Sequence, residues 1–355
     1  MHDHVHHRRR RRPFLALLAI LALLLAVAAC GDDDEPAASD DSGSGSEETG
    51  GAPETITIGY QLIPNGDLVV KGSGWLEEAF PDSEIEWKLF DSGGSVNEAI
   101  IGGSIDFGLA GSSPVSRGIS TGIEYQVPWI HDVIGEAEAL VVNPDTVSGI
   151  DDLAGKTIAT PFASTSHFSL LAALDDAGVD PADVDIIDAE PDDIFAAWSR
   201  GDIDGAYVWN PNLASIIDDG GEVLITSADL AAEGTTTYDL AVVSNGFAEE
   251  FPEAVQTWVE QQDRAVKLIQ DEPDDAADVI AAELDIDAEA AAAQIEDLIF
   301  LDASEQAAAE NLGGGLAENL LAAAEFNVEQ GEIPEAKPAG DYEAAVNASF
   351  AEAVG

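Results

Sequence analysis

Residues 99–114 read AIIGGSIDFGLAGSSP, and residues 197–209 read AWSRGDIDGAYVW. Each is an apolar helical tail, then a Gly turn, then Ile-Asp, then a short apolar strand. They lie roughly a hundred residues apart, which suits two similar α/β lobes in one chain rather than a solenoid array. Two such lobes make a cleft, and a cleft between lobes is a usual place for a small ligand.

Working outward from the first stretch, ETITIGYQL (54–62) alternates like a strand. Residues 67–80 are predicted as a helix ending near Pro81, and IEWKLF (85–90) as a second strand. SVNEAIIGGS is a helix closed by Gly102-Gly103, IDFGLA a third strand and EALVVN (138–143) a further one. This alternation predicts parallel pairing with right-handed crossovers. Around the second stretch, TIATP, VDIIDA and IDGAYVW are strands, while SHFSLLAALDDAG, PDDIFAAWSRG and LASIIDDGG are helices. LAVVSN (240–245) is expected to return to the first lobe, followed by Ala- and acid-rich helices packed against it.

The 355 residues carry 13 Lys+Arg against 70 Asp+Glu, a net charge of −57. Five of those basic residues and one acidic residue fall in positions 1–29, so 8 basic and 69 acidic residues remain beyond them, a net −61. Such a surface repels nucleic acid, whose phosphates need Lys and Arg clusters. It stays soluble where salt screens its self-repulsion, which suits a saline or acid-tolerant exterior.

Arg8–Arg12 followed by an apolar run from Phe14 to Val27 forms a signal peptide, too short for a comfortable membrane span. It ends Val27-Ala28-Ala29-Cys30, and Cys30 is the single cysteine of the chain. A cysteine at the cleavage point resembles the bacterial lipobox, which implies acylation at Cys30 and a membrane anchor without a spanning helix. Arg11-Arg12-Pro13-Phe14-Leu15 also resembles a twin-arginine export signal, leaving two export routes open. Residues 30–53 are acidic and Gly/Ser-rich and read as a flexible tether. The expected organisation is therefore leader 1–29, tether 30–53, first lobe 54–143, second lobe 144–239, and return with C-terminal helices 240–355.

Ligand chemistry is sought in loops at the carboxyl ends of strands, where helix N-termini aim free N–H groups outward. Gly111-Ser112-Ser113-Pro114 and Ser164-Thr165-Ser166-His167 both fit, and together they suit an anion. Either alone reads first as simple N-capping. Gln61 is a further donor. Glu138 and Asp239 stand beside apolar strands, where an isolated acid is costly unless paired. They could receive a cation, or stay solvated. Trp209 ends its strand where a ligand would lie, with Tyr207 on the same face; Trp129 and His131 are weaker candidates. The sequence contains no GxGxxG, P-loop, HExxH or GxSxG motif, and two histidines lie beyond the leader, far apart. No catalytic residue, metal or cofactor is expected.

The segments FDSGGSVNEAI, GLAGSSP, LAGKTIATPFASTSHFSLLAAL, AAWSRGDIDGAYVW and DLAVVSN resemble the taurine-binding branch of the sulfonate, nitrate and thiamine-precursor substrate-binding family of bacterial ABC importers. The resemblance covers nearly everything from Glu54 onward and is densest at 155–210. It implies a two-lobed, periplasmic-binding-protein-like (type II) α/β clamshell, each lobe a mainly parallel sheet flanked by helices. It implies a sulfonate among Ser112, Ser113, Thr165, Ser166 and His167, an ammonium at Glu138 and Asp239, and Trp209 against the spacer. It further implies a monomer that serves a permease and an ATPase on other chains. One stretch departs from the pattern: YQLIPNGDLVVKGSGW (60–75) reshapes one cleft wall and leaves glycine betaine, other alkanesulfonates or a pyrimidine precursor open as ligands.

Overall fold

The computed structural model describes residues 52–354. The leader, Cys30 and most of the tether lie outside them. Strand β1 (Thr55–Tyr60) is followed by helices α1 (Gly66–Ser73) and α2 (Trp75–Ala79). The single helix expected here is broken at Gly74, which takes a left-handed φ of 67° and caps α1. Next come β2 (Glu84–Leu89), α3 (Gly93–Ile101), β3 (Phe107–Gly111), α4 (Ser112–Thr121) and β4 (Tyr125–Ile134).

The chain then crosses into β5 (Glu138–Val142), β6 (Thr157–Thr160), α5 (Thr165–Ala177), β7 (Asp185–Asp188), α6 (Pro191–Arg200), β8 (Gly205–Trp209), α7 (Asn212–Asp218), β9 (Glu222–Thr226) and α8 (Ser227–Ala232). It returns through β10 (Thr237–Ser244) to the helices α9 (Asn245–Glu250), α10 (Pro252–Asp271), α11 (Pro273–Leu284) and α12 (Ala288–Glu296). The short β11 (Leu298–Ile299) precedes α13 (Ala303–Gln306), α14 (Gly315–Glu329), α15 (Ala339–Ala345) and α16 (Ser349–Glu352).

Two sheets result, ordered β11-β4-β10-β3-β1-β2 and β7-β6-β8-β5-β9. Both are mixed rather than mainly parallel. The crossing strands cause this: β10 runs antiparallel to β3 and β4, and β5 runs antiparallel to β8 and β9. Residues 138–142 also change sides relative to the expected boundary. They pair in the second sheet, because the unforeseen strand β4 fills the corresponding place in the first. An apolar strand buried on both faces reads the same in either sheet. The return is likewise earlier than expected, since β10 already lies in the first sheet at Thr237.

The first sheet, α1 to α4 and the C-terminal helices share one large core that includes Trp129, Trp258, Phe107 and Tyr342. Phe107 stacks on Trp258 with ring centroids 5.0 Å apart. Two smaller clusters cover the faces of the second sheet. The outer edge of β4 is covered piecewise by the C-terminal segment. β11 pairs with Val133 and Ile134, the Gln306 amide bonds both the N–H and the C=O of Ile130, and Val346 bridges Val127. Among the described residues no helix is long and apolar enough to cross a membrane.

Candidate ligand-binding site

A cavity lies where the two sheets meet. Gln61, Ile63, Gly93, Gly111, Pro114 and Asp239 reach it from the first lobe. Glu138, Ser164, Thr165, Trp209 and Asn210 reach it from the second. Among the described residues, none of those lining it is Lys or Arg.

Three helices begin at its wall. Gly93 opens α3, Gly111 caps α4, and Ser164 and Thr165 start α5. The first amides of a helix have no intrahelical acceptor and carry the positive end of its dipole. Ser164 uses its hydroxyl to accept from His167 N–H at 3.1 Å, which leaves the Thr165 and Ser166 amides as the unspent donors of that turn. Gly93 was not singled out from the sequence. Its backbone must pass close to Pro114 and Ala110, where an added Cβ would fall 2.7 Å from Pro114 Cγ.

The opposite character comes from carboxyl groups. Glu138 is buried, and four hydroxyls donate to it: Thr165 at 2.6 Å and Ser166 at 2.8 Å to Oε2, Ser227 at 2.8 Å and Ser169 at 3.4 Å to Oε1. Burial raises its pKa, and those hydrogen bonds counter the rise. Glu138 therefore both faces the cavity and fastens the first turns of α5 and α8 to β5. Asp239 lies opposite Asp132 in the register of β10 and β4. Burial, then the Asp132 and Glu138 charges, push its pKa well above the ordinary carboxylate value.

The structure places the sequence candidates unequally. Gln61, Glu138, Thr165, Trp209 and Asp239 line the one cavity. Ser112 and Ser113 are buried but outside the lining; Ser112 Oγ accepts from Tyr238 N–H at 3.2 Å instead. Their neighbours Gly111 and Pro114 face the cavity. Ser166 spends its hydroxyl on Glu138. His167 turns away: its ring stacks on Phe162 at 4.5 Å, and Nδ1 lies 3.9 Å from Glu332 Oε2. Burial lowers its pKa. Trp129 and Tyr207 are core residues. Ile63 and Pro64, from the divergent first loop, do form one wall. Asp132 escaped the sequence reading, although an acid inside the apolar run YQVPWIHDVI carries the same signal as Glu138 and Asp239.

A family model for the NMT1-like family matches residues 50–284. The chain belongs to the NMT1-like family. This NMT1-like protein is 33% identical over 301 residues to the taurine-binding periplasmic protein of Escherichia coli K12, covering 83% of this chain and 92% of that one. Its fold is that of the alkanesulfonate-binding protein SsuA from Xanthomonas axonopodis pv. citri, solved with MOPS, at a TM-score of 0.69 and 23% identity over 81% of this chain and 96% of that one. The desulfurization enzyme DSZB, solved as a cysteine-to-serine mutant with biphenyl-2-sulfinic acid, has the same architecture at a TM-score of 0.61 and 16% identity, over 84% and 97%. The fold thus hosts both binding and catalysis. The relative that shares a third of its residues is a binding protein.

Proposed function

We propose that the protein captures a small zwitterionic sulfonate, taurine foremost, outside the cytoplasm and delivers it to the permease and ATPase of an ABC importer. One observation carries this reading: a single cavity has three helix N-termini on its wall, two buried acids, and no basic side chain among its described lining residues. Neutral N–H donors suit a sulfonate, and Asp239 with Glu138 suits an ammonium. The E. coli relative, a taurine-binding periplasmic protein, supports the same ligand class. A net charge of −57 disfavours a net anion but not a zwitterion. A quaternary ammonium would want an aromatic cage, and Trp209 is the one aromatic residue among the described lining residues.

Capture works by lobe closure, because a ligand touching both lobes favours the closed state. Gly111 and Thr165 meet across the cleft, and a Cβ on Gly111 would fall 2.5 Å from Thr165 Cγ2. The Thr165 hydroxyl is tied to Glu138, so that side chain cannot swing aside freely. Gly111→Ala is therefore expected to wedge the cleft and weaken every ligand by about tenfold or more, the equivalent of an overpacked contact. Unchanged affinity would remove the closed contact from the mechanism.

Isothermal titration with taurine, ethanesulfonate and glycine betaine tests the ligand class. Tight binding of taurine over the other two is expected. Preference for betaine or ethanesulfonate would mean that the Ile63-Pro64 wall has moved the specificity. Cys30 is proposed as the lipidated N-terminus, with acyl chains holding the protein at the membrane. Cys30→Ser should then shift the protein from the membrane to the soluble fraction of expressing cells, and continued membrane attachment would overturn the anchor.

A further inference from the structure

Behind the cavity wall lies a carboxyl group that the proposed ligand contacts leave unused. Asp132 is fully buried. Its Oδ2 accepts from Asn65 Nδ2 at 3.2 Å, while Oδ1 finds no donor. The group it faces is the carboxyl of Asp239, directly opposite in the strand register. Two ionised carboxylates have no hydrogen to share, so such a contact needs one proton between them.

The surroundings supply no countercharge. Glu138 adds a further negative group from β5, and its own oxygens are already taken by hydroxyls of α5 and α8. Beyond Asn65 lie Asp67 in the first turn of α1 and His131 on β4, 3.6 Å apart. Burial pushes Asp67 up to about 7 and His131 down to about 3, so both are uncharged at mildly acidic pH. Gln262 of α10 donates to Asp67 at 2.7 Å and brings no charge.

We infer that Asp132 and Asp239 hold one proton between them in the ligand-free protein, and that the ammonium of a captured ligand replaces it, making Asp132 a specificity-determining residue behind the wall. This rests on the sulfonate reading above and deepens it. The exchange balances: one O–H bond dissociates, the proton leaves to solvent, and the ammonium takes over the same single positive charge. A sulfonate without an ammonium leaves the proton where it was. Burial supports the proton's presence, since it raises both groups above the ordinary carboxylate range.

Isothermal titration at about pH 6, in two buffers of different ionisation enthalpy, tests the exchange. Taurine heats should differ between buffers by the equivalent of about one proton released per ligand, while ethanesulfonate heats should not differ. Taurine affinity should also fall by about tenfold per unit below that pH. In Asp132→Asn the amide donates to Asp239 permanently, so the remaining taurine binding should lose its buffer dependence and its pH slope. Taurine binding with no proton release, or equal release with ethanesulfonate, overturns the inference alone. Binding of neither sulfonate overturns the functional reading and the inference with it. The buffer comparison uses the unaltered protein, so it decides even if Asp132→Asn does not fold.

Discussion

Asp239→Asn weakens taurine by about a hundredfold and leaves ethanesulfonate within about threefold, the split expected when one partner of a buried charge pair is removed. The amide keeps the shape of the side chain and its place between the cavity and Asp132, so packing is not the variable. What changes is the charge that meets the ammonium. A loss of about 3 kcal/mol is in the range for such a truncation, and it applies only to a ligand that carries the cation. Parallel titrations with the two sulfonates read the split directly. Equal losses for both would mean that Asp239 shapes the cavity without recognising the ammonium.

The second large effect is on stability. Glu138→Ala strands four hydroxyls, those of Thr165, Ser166, Ser169 and Ser227, and Ser227 also contacts Tyr207 Oη at 3.2 Å. Leaving buried donors without an acceptor costs about 1–3 kcal/mol each before relaxation. Some can find new partners, so we expect a net loss of about 4 kcal/mol and a melting temperature lower by about 10 °C. Both sulfonates should weaken because the start of α5 loses its fastening, and taurine more than ethanesulfonate because its ammonium loses one of its two acids. Glu138→Gln should recover part of the stability, since its carbonyl oxygen still accepts. A melting temperature unchanged in Glu138→Ala would mean that the hydroxyl cluster does not hold the second lobe together. The contrast with Asp239 separates a residue that builds the site as well as meeting the ammonium from one that only reads the ligand.

Much of this arrangement was legible in the chain. The paired Gly-x-Ile-Asp turns, 103–106 and 201–204, both precede strands, and in the structure each Asp ties its strand to the sheet. Asp106 Oδ2 accepts from Thr57 N–H at 2.8 Å, and Asp204 Oδ2 accepts from Thr157 N–H at 3.1 Å. The repeat is thus a shared way of fastening a strand start to its parallel neighbour. The side of the sheet on which residues 138–142 lie was not legible, because EALVV is buried all round and its partners β8 and β9 are about 65 to 90 residues away. The direction of the Ser112 hydroxyl depends on how α4 leaves β3, and one step of rotation there exchanges Ser112 for Gly111 at the cavity. His167 belonged to the right loop and the wrong face, since it sits further along the first turn of α5 than Thr165. Asp132 was legible in principle: the cost of an isolated acid applies to every apolar strand, and β4 was not recognised as one.

The piecewise covering of β4 has a consequence for how the protein behaves in concentrated solution. A strand edge ten residues long would offer a row of free N–H and C=O groups to any extended chain. Here β11, the Gln306 amide and Val346 occupy it at intervals, and each comes from beyond Asp297. The far edge of the same sheet, β2, carries Glu84, Glu86 and Lys88 and deters neighbours by charge. Loss of the segment after Asp297 would bare an unpaired ladder on the Tyr125–Ile134 edge, open to pairing with another extended chain, at the same time as it strips Tyr342 and the last helices from the core.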